Sequence, residues 1–385
     1  MKPIFLRAAL TLATLASPLD AAPPVIDRVS VQMDEHIQAR QVAGVVTLVA
    51  DEKEILHLSA NGLSNVEKST SMSADTVFWI ASMTKPVTGA AVMILQDEGR
   101  LSVKDPVSKY LPEFKELQDK DGNPVTVTLE QCLAHTCGLS ELSPDEIRNS
   151  ETLAQLTPLI TAKPVQFLPN EKWAYCQTGI NMAARVVEVV SGLSFPEFLE
   201  KRLFGPLGMT DTTFYPDHSQ SARISTPYRL TPDGGLEAAD FSFLHGKQAT
   251  DPKRVPMANG GLFSTAPDYV KFAQMVLRGG ELNGKRILSE ASVRQMTSVT
   301  TGDLTTGFTP GNGWGLGWCV IREPQGPSAS LSSGSFGHGG LYGTQAWIDP
   351  VKKRIYLLMI QRADMKNSDA SDIRRDFQDA AAPTS

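Results

Sequence analysis

The chain has little of what the simplest functional classes require. Only four of its 385 residues are cysteine (Cys132, Cys137, Cys176 and Cys319), and no two form a CxxC pair. A thiol-rich zinc module is therefore excluded. The six histidines, His36, His57, His135, His218, His245 and His338, are scattered without an HExxH spacing, so no metal site is expected. No long Lys/Arg run occurs and the formal net charge is −6, which argues against a nucleic-acid partner. No apolar run is long enough to span a bilayer, so stable membrane insertion is not expected.

What is present is ordinary for a soluble globular protein: 41% hydrophobic and 20% charged residues. The length suits one large domain or two modest ones. The start, MKPIFLRAALTLATLASPLDAAPP, places Lys2 and Arg7 around an apolar core, Ala8 to Ala16, followed by small residues at Ala21 and Ala22. This pattern is expected to be an export signal over residues 1–22, cleaved near Ala21/Ala22 to leave a periplasmic or secreted chain of residues 23–385. A buried first helix is the alternative. Export would permit disulfides, but four cysteines allow three full pairings and the sequence does not choose among them. Buried free thiols are the alternative.

Val42 to Gly62 reads as two strands flanking the charged turn Asp51-Glu52-Lys53. A helix is expected from about Ser82 to Gly99, with Val87, Ala90, Ala91, Ile94 and Leu95 at helical spacing and Pro86 tolerated in its first turn. Residues 101–257 read as mostly helical, with segments near Thr128–His135, Gly179–Val190 and Phe195–Leu203. Thr231–Arg254 reads as a long irregular excursion that shapes a cleft. WGLGWCVI, GTQAWIDP and KKRIYLLMI read as successive strands, and SDASDIRRDFQDAAA as a closing helix. The expected architecture is α/β (α+β): an antiparallel sheet built from both termini (about 23–100 and 258–385), flanked by helices, with a large helical insertion.

Three stretches carry potential chemistry. In ASMTKP, Ser82 and Lys85 are three apart and share a helix face. A helix N-terminus and desolvation both favour a neutral lysine, which is a competent base for the serine. By itself the pair also fits an N-cap and a surface charge. In WAYCQTG, Tyr175 sits in a loop and Gln177 lies two residues on. A tyrosine beside a buried lysine can pass a proton to a leaving group, the positive neighbour favouring phenolate, and the Gln177 amide can hydrogen-bond a substrate. In FGHGGLYG, His338-Gly339-Gly340 is expected to precede a strand, with His338 donating to a substrate carboxylate or steering protons. The glycines would let a substrate approach, and the Leu341 N–H would serve as an oxyanion donor.

The order of these stretches resembles the serine β-lactamase-like superfamily, which includes class C β-lactamases, DD-peptidases, D-aminopeptidases and related carboxylesterases. Its motifs S-x-x-K, Y-x-N and K-T-G or H-x-G are matched by Ser82-Met-Thr-Lys85, Tyr175-Cys-Gln177 and His338-Gly-Gly340. CLAHTCGLSEL, LFGPLGMTDTTF, NGGLFSTAPDYVKFA and WGLGW are similar to further family segments, so the likeness runs from about Ile26 to Gln361. The resemblance implies Ser82 as nucleophile, Lys85 and Tyr175 as its activators and proton donors, and the N–H groups of Ser82 and Leu341 as the oxyanion hole. It implies no cofactor. Gln177 departs from the family's asparagine, and the added methylene displaces its amide by about 1.5 Å. Cys176 between the two functional positions reads as a small buried hydrophobe, with pairing to Cys137 as the alternative.

The H-x-G form of the third motif resembles DD-peptidases and D-aminopeptidases. The first expectation is therefore hydrolysis of peptide amides, including peptides with D- or unusual residues such as linearised microcystin. Short acyl esters come second and β-lactams third, with an acylated sensor or binding protein as the non-enzymatic alternative. No G-x-S-x-G occurs, which argues against an α/β-hydrolase. A small-molecule or peptide substrate is the expected partner, and the sequence does not specify oligomeric state.

Overall fold

Val/Leu-rich Gly44–Ala50 forms a central strand, β1, buried along its whole length. Ile55–Asn65 (β2) returns antiparallel to it, and the Asp51 carboxylate closes the turn between them by accepting the N–H groups of Lys53 and Glu54. The computed structural model describes residues 25–382, and the expected leader, residues 1–22, lies outside them. The remaining strands of the main sheet are Thr70–Ser71 (β3), Asn312–Trp314 (β4), Cys319–Ile321 (β5), Phe336–Gly339 (β6), Gln345–Asp349 (β7) and Arg354–Met359 (β8). They form one eight-stranded sheet in the order β4-β5-β6-β7-β8-β1-β2-β3. Every pairing is antiparallel, and the two ends of the chain meet at β1 and β8, as expected.

One strand expectation is corrected and another is refined. Trp314–Ile321 is not one strand but the hairpin of β4 and β5, pairing Trp314 with Cys319. Gly317, at φ +81°, reverses the chain there, and any Cβ on it would fall 2.6 Å from the Lys85 carbonyl oxygen. His338-Gly339-Gly340 precedes strand β7, as expected, but His338 and Gly339 themselves form the end of β6, and Gly340 begins the turn into β7.

One face of the sheet is covered by Val25–Gln38 (α1), a helix not anticipated from the sequence, and by Asp372–Ala381 (α6). Val29, Met33, Ile373 and Phe377 pack there against Val45, Trp347 and Tyr356. The other face carries Thr84–Asp97 (α2) and Ala266–Leu277 (α5). Every residue of α2 from Thr84 to Leu95 is buried; a helix apolar on all sides is a core helix. α2 lies between the sheet and the helical region, which includes Leu129–Leu133 (α3) and Gln177–Ser191 (α4). The Thr231–Arg254 excursion is less irregular than expected, because its start closes a small hairpin of Tyr228–Leu230 with Leu236–Ala238.

Candidate active site

Ser82 does not open the α-helix directly. It sits in a 3₁₀ turn, Ala81–Met83, that leads into α2. The preceding Ala81 takes φ +46°, a left-handed conformation that an alanine adopts only at a cost of about 1 kcal/mol. Surrounding bonds hold it there. Thr84 Oγ1 donates to the Ala81 carbonyl at 2.7 Å, Thr344 Oγ1 to the Ile80 carbonyl at 3.3 Å, and Gln361 Nε2 to the Trp79 carbonyl at 2.9 Å. As the second residue of its turn, Ser82 has an N–H with no intrahelical acceptor.

Lys85 is fully buried, and its Nζ lies 3.0 Å from Ser82 Oγ and 2.7 Å from the Asn259 carbonyl oxygen. Burial pulls its pKa down to about 7, with the Glu141 carboxylate acting in the opposite direction. A neutral amine so placed donates one N–H to Asn259 and turns its lone pair to the Ser82 hydroxyl.

Tyr175 brings its ring centroid within 4.4 Å of Lys85 Nζ. The half-buried ring packs against His135 at 4.5 Å and Phe308 at 4.8 Å. The Cys176 N–H donates to His135 Nδ1 at 3.0 Å and fixes the loop that carries Tyr175. The phenolate expectation is corrected: burial raises the Tyr175 pKa well above its usual value, the neighbouring Ser82 hydroxyl opposing only in part. Tyr175 is therefore a proton-bearing phenol.

Of the two roles expected of His338, the geometry fits proton steering and not donation to a substrate carboxylate. Its Nδ1 donates to the Gly339 carbonyl at 2.7 Å, which leaves the Nε2 lone pair 3.4 Å from the Tyr175 hydroxyl. Burial first, and nearby Lys85 second, push its pKa down to about 3. It is a neutral acceptor that orients Tyr175, not a cation for a substrate carboxylate. Gly340 lets the end of β6 abut the serine turn, since a Cβ there would lie 2.7 Å from the Ile80 carbonyl oxygen. The turn after Gly340 closes by Gly340 N–H to Thr344 O and Gly343 N–H to Gly340 O, leaving the Leu341 N–H without a protein acceptor among the described residues.

Gln177 is the first residue of α4 and faces the same cleft. Its Oε1 accepts from Asn259 Nδ2 at 2.9 Å, which leaves its NH₂ group for a ligand. Sequence reading missed Asn259 and Glu141. The Glu141 carboxylate accepts the N–H groups of Gln177 and Thr178 and the Thr178 hydroxyl, anchoring the N-terminus of α4. The available signal was its place in CLAHTCGLSEL, but nothing local pointed to a cap on a helix 36 residues away. The four cysteines are free and buried, with the Cys137 and Cys176 sulfurs 3.9 Å apart.

These groups open onto a cavity of about 820 Å³ whose walls include Trp79, Leu142, Ile147, Phe243, Met257 and Phe308. Phe243 brings the Thr231–Arg254 excursion into the cleft wall. Among the described residues, no three His, Cys, Asp or Glu side chains converge as a metal cluster. No helix of the described residues is long and apolar enough to cross a membrane. The arrangement can deprotonate a serine, offer two N–H groups to an oxyanion and protonate a leaving group.

The chain is similar to several known proteins. Esterase EstB of Burkholderia gladioli is 27% identical over 92% of this chain and 95% of its own length. Penicillin-binding protein 4 of Amycolatopsis lactamdurans is 30% identical over 75% of this chain and 72% of its own. The solved structure of EstCE1, a hydrolase with promiscuous acyltransferase activity, superposes with a TM-score of 0.79 at 23% identity, covering 93% of this chain and 98% of that one; it shows the shared fold. The model of the family described as Beta-lactamase matches residues 29–381, and the chain belongs to that family of serine hydrolases.

Proposed function

We propose that the chain hydrolyses neutral carboxylic esters through an acyl-enzyme on Ser82. The observation that carries this reading is the Lys85 amine, buried, held near neutrality and 3.0 Å from Ser82 Oγ. As Ser82 Oγ attacks the ester carbonyl, its proton passes to Lys85 Nζ. The oxyanion is held by the N–H groups of Ser82 and Leu341. Tyr175, oriented by His338, gives its proton to the departing alkoxide and recovers one from the Lys85 ammonium. Water then attacks the acyl carbonyl and releases the acid, returning the proton to Ser82.

The choice of esters over peptides follows from the cleft. Its walls are largely apolar and aromatic, and His338 supplies no positive charge for the carboxylate that peptides and β-lactams commonly carry. The similarity to esterase EstB supports the same reading. Cleavage of peptide amides, including linearised cyclic peptides, is the second reading. It rests on the Gln177 NH₂ group, which is free to donate to a substrate amide carbonyl.

The test is a panel of short acyl p-nitrophenyl esters, D- and L-aminoacyl p-nitroanilides, nitrocefin and linear microcystin, run on the native protein and on Ser82→Ala. Ester turnover that exceeds the other classes and vanishes in the variant is expected. Anilide or microcystin turnover exceeding ester turnover would move the assignment to peptides. Labelling without turnover would indicate a binding or sensor protein.

A further inference from the structure

The cleft carries a carboxylate that the mechanism above does not use. Asp369 lies on the Ser368–Ala370 turn that precedes α6, and it lines the cavity beside His338, Gly339 and Gly340. Its position over the end of β6 is close: a Cβ built on Gly339 would fall 1.8 Å from Asp369 Oδ1. This oxygen packs against the Gly339 backbone, and because Asp369 lines the cavity, a substrate lying along the His338–Gly340 segment passes close to the carboxylate.

The carboxylate is held by buried groups. Trp347 Nε1 donates to Gln345 Oε1 at 2.8 Å, which fixes the amide so that Gln345 Nε2 donates to Asp369 Oδ1 at 3.1 Å and to the Ser368 carbonyl at 3.2 Å. Gln345 is 1% exposed. From beneath, the fully buried Arg374 donates through Nη1 to the Asp369 backbone carbonyl at 2.7 Å, its guanidinium 3.9 Å over the Trp347 ring. Arg374 thus grips the backbone of Asp369, not its carboxylate. The other arginines nearby in sequence, Arg362 and Arg375, pair with Asp364, Asp372 and Asp376, and among the described residues no side chain forms a contact ion pair with the Asp369 carboxylate, on which Arg374 acts only through space.

The other charged and titratable groups facing the cleft do not cancel it. Glu141 is engaged by the N-terminus of α4. His338 and His245 are both held below the ordinary histidine range by burial. Lys366 is exposed on the same loop and has a flexible stem. Arg374 offsets part of this charge from behind the turn, but it is fully buried, so the charged group at the end of β6 that lines the cleft itself is the Asp369 carboxylate.

We infer that Asp369 is a specificity determinant that sets the charge preference of the cleft, disfavouring acyl donors with a carboxylate and favouring those with a quaternary ammonium or no charge. This deepens the ester-cleaving reading and rests on it.

The test uses three p-nitrophenyl esters of similar length: hexanoate (neutral), the adipate monoester (anionic) and 5-(trimethylammonio)pentanoate (cationic). For the native protein, kcat/KM should be lowest for the anionic ester. Asp369→Asn should raise the anionic-to-neutral ratio about tenfold and lower the cationic-to-neutral ratio by a similar factor; Asp369→Glu should keep the native order. In 1 M salt, where the screening length is about 3 Å, both ratios should shift toward their Asp369→Asn values. Ratios that Asp369→Asn leaves in place would overturn the inference and assign Asp369 to loop packing. A native preference for the anionic ester that Lys366→Ala abolishes would also overturn it, giving charge selection to Lys366. If the native protein turns over none of the esters, the ester reading fails. The rates at which anionic, neutral and cationic fluorophosphonates label Ser82 then decide the role of Asp369 by the same comparison, and no labelling would overturn both.

Discussion

Lys85 Nζ stands 3.0 Å from Ser82 Oγ while donating to the Asn259 carbonyl at 2.7 Å. The second contact gives the first its meaning. A lysine fully enclosed by protein, with a carbonyl to receive one N–H and no carboxylate in its first contact shell, has lost the solvation that keeps ammonium stable.

The pH dependence of acylation follows. Lys85 must be neutral to accept the serine proton, so kcat/KM for a neutral ester should rise with pH through a midpoint near 7. The Glu141 carboxylate favours the ammonium form, so Glu141→Gln should move this midpoint to lower pH. A pH–rate profile of both proteins checks the sign. A midpoint that moves upward in the variant would contradict the electrostatics.

Tyr175→Phe removes the phenolic proton while keeping the ring between His135 and Phe308. A fall in kcat/KM of about 10²–10⁴ is expected for an alkyl ester, whose alkoxide needs a proton. The loss should be smaller for a p-nitrophenyl ester, whose leaving group is stable as an anion. Equal losses on both would remove Tyr175 from leaving-group protonation.

How far the sequence reveals this site depends on how local each feature is. The Ser82–Lys85 spacing and the β1–β2 hairpin are set by neighbours in the chain, and both are found as read. The protonation states of Tyr175 and His338 are not local. They depend on enclosure by Phe308, Trp314 and Lys85, which come from distant segments. Glu141, Asn259 and Asp369 escaped notice for the same reason, since each acts across long sequence separations. The β4–β5 hairpin was hidden because Gly317 lies among strand-forming tryptophans, and its φ of +81° answers to the Lys85 carbonyl it touches. Helix α1 is hidden because its apolar positions Val29 and Met33 acquire their role only from the distant strands on which they pack.

Gly89 gives a stability test that runs against helix propensity. In the middle of α2, glycine to alanine ordinarily stabilises a helix by about 1 kcal/mol. Here a Cβ would fall 2.4 Å from the Leu316 carbonyl oxygen. Gly89→Ala should instead destabilise the protein by about 1–3 kcal/mol. Because Gly89 lies one turn beyond Lys85, the variant should also lower ester turnover. Chemical denaturation measures the first effect, and a gain in stability would show that α2 is not packed against the β4–β5 turn.

The central claim, that Ser82 is acylated with neutral Lys85 as its base, is tested most directly by intact-mass measurement of the acyl-enzyme formed in a single turnover across pH 5 to 9. The account predicts one acyl adduct, mapped to Ser82, forming at a rate that rises through pH of about 7. It predicts no adduct in Ser82→Ala, and a loss of at least about 10²-fold in rate with Lys85→Met. An adduct on another residue, an adduct that survives Ser82→Ala, or a Lys85→Met protein that is acylated at the native rate would contradict it.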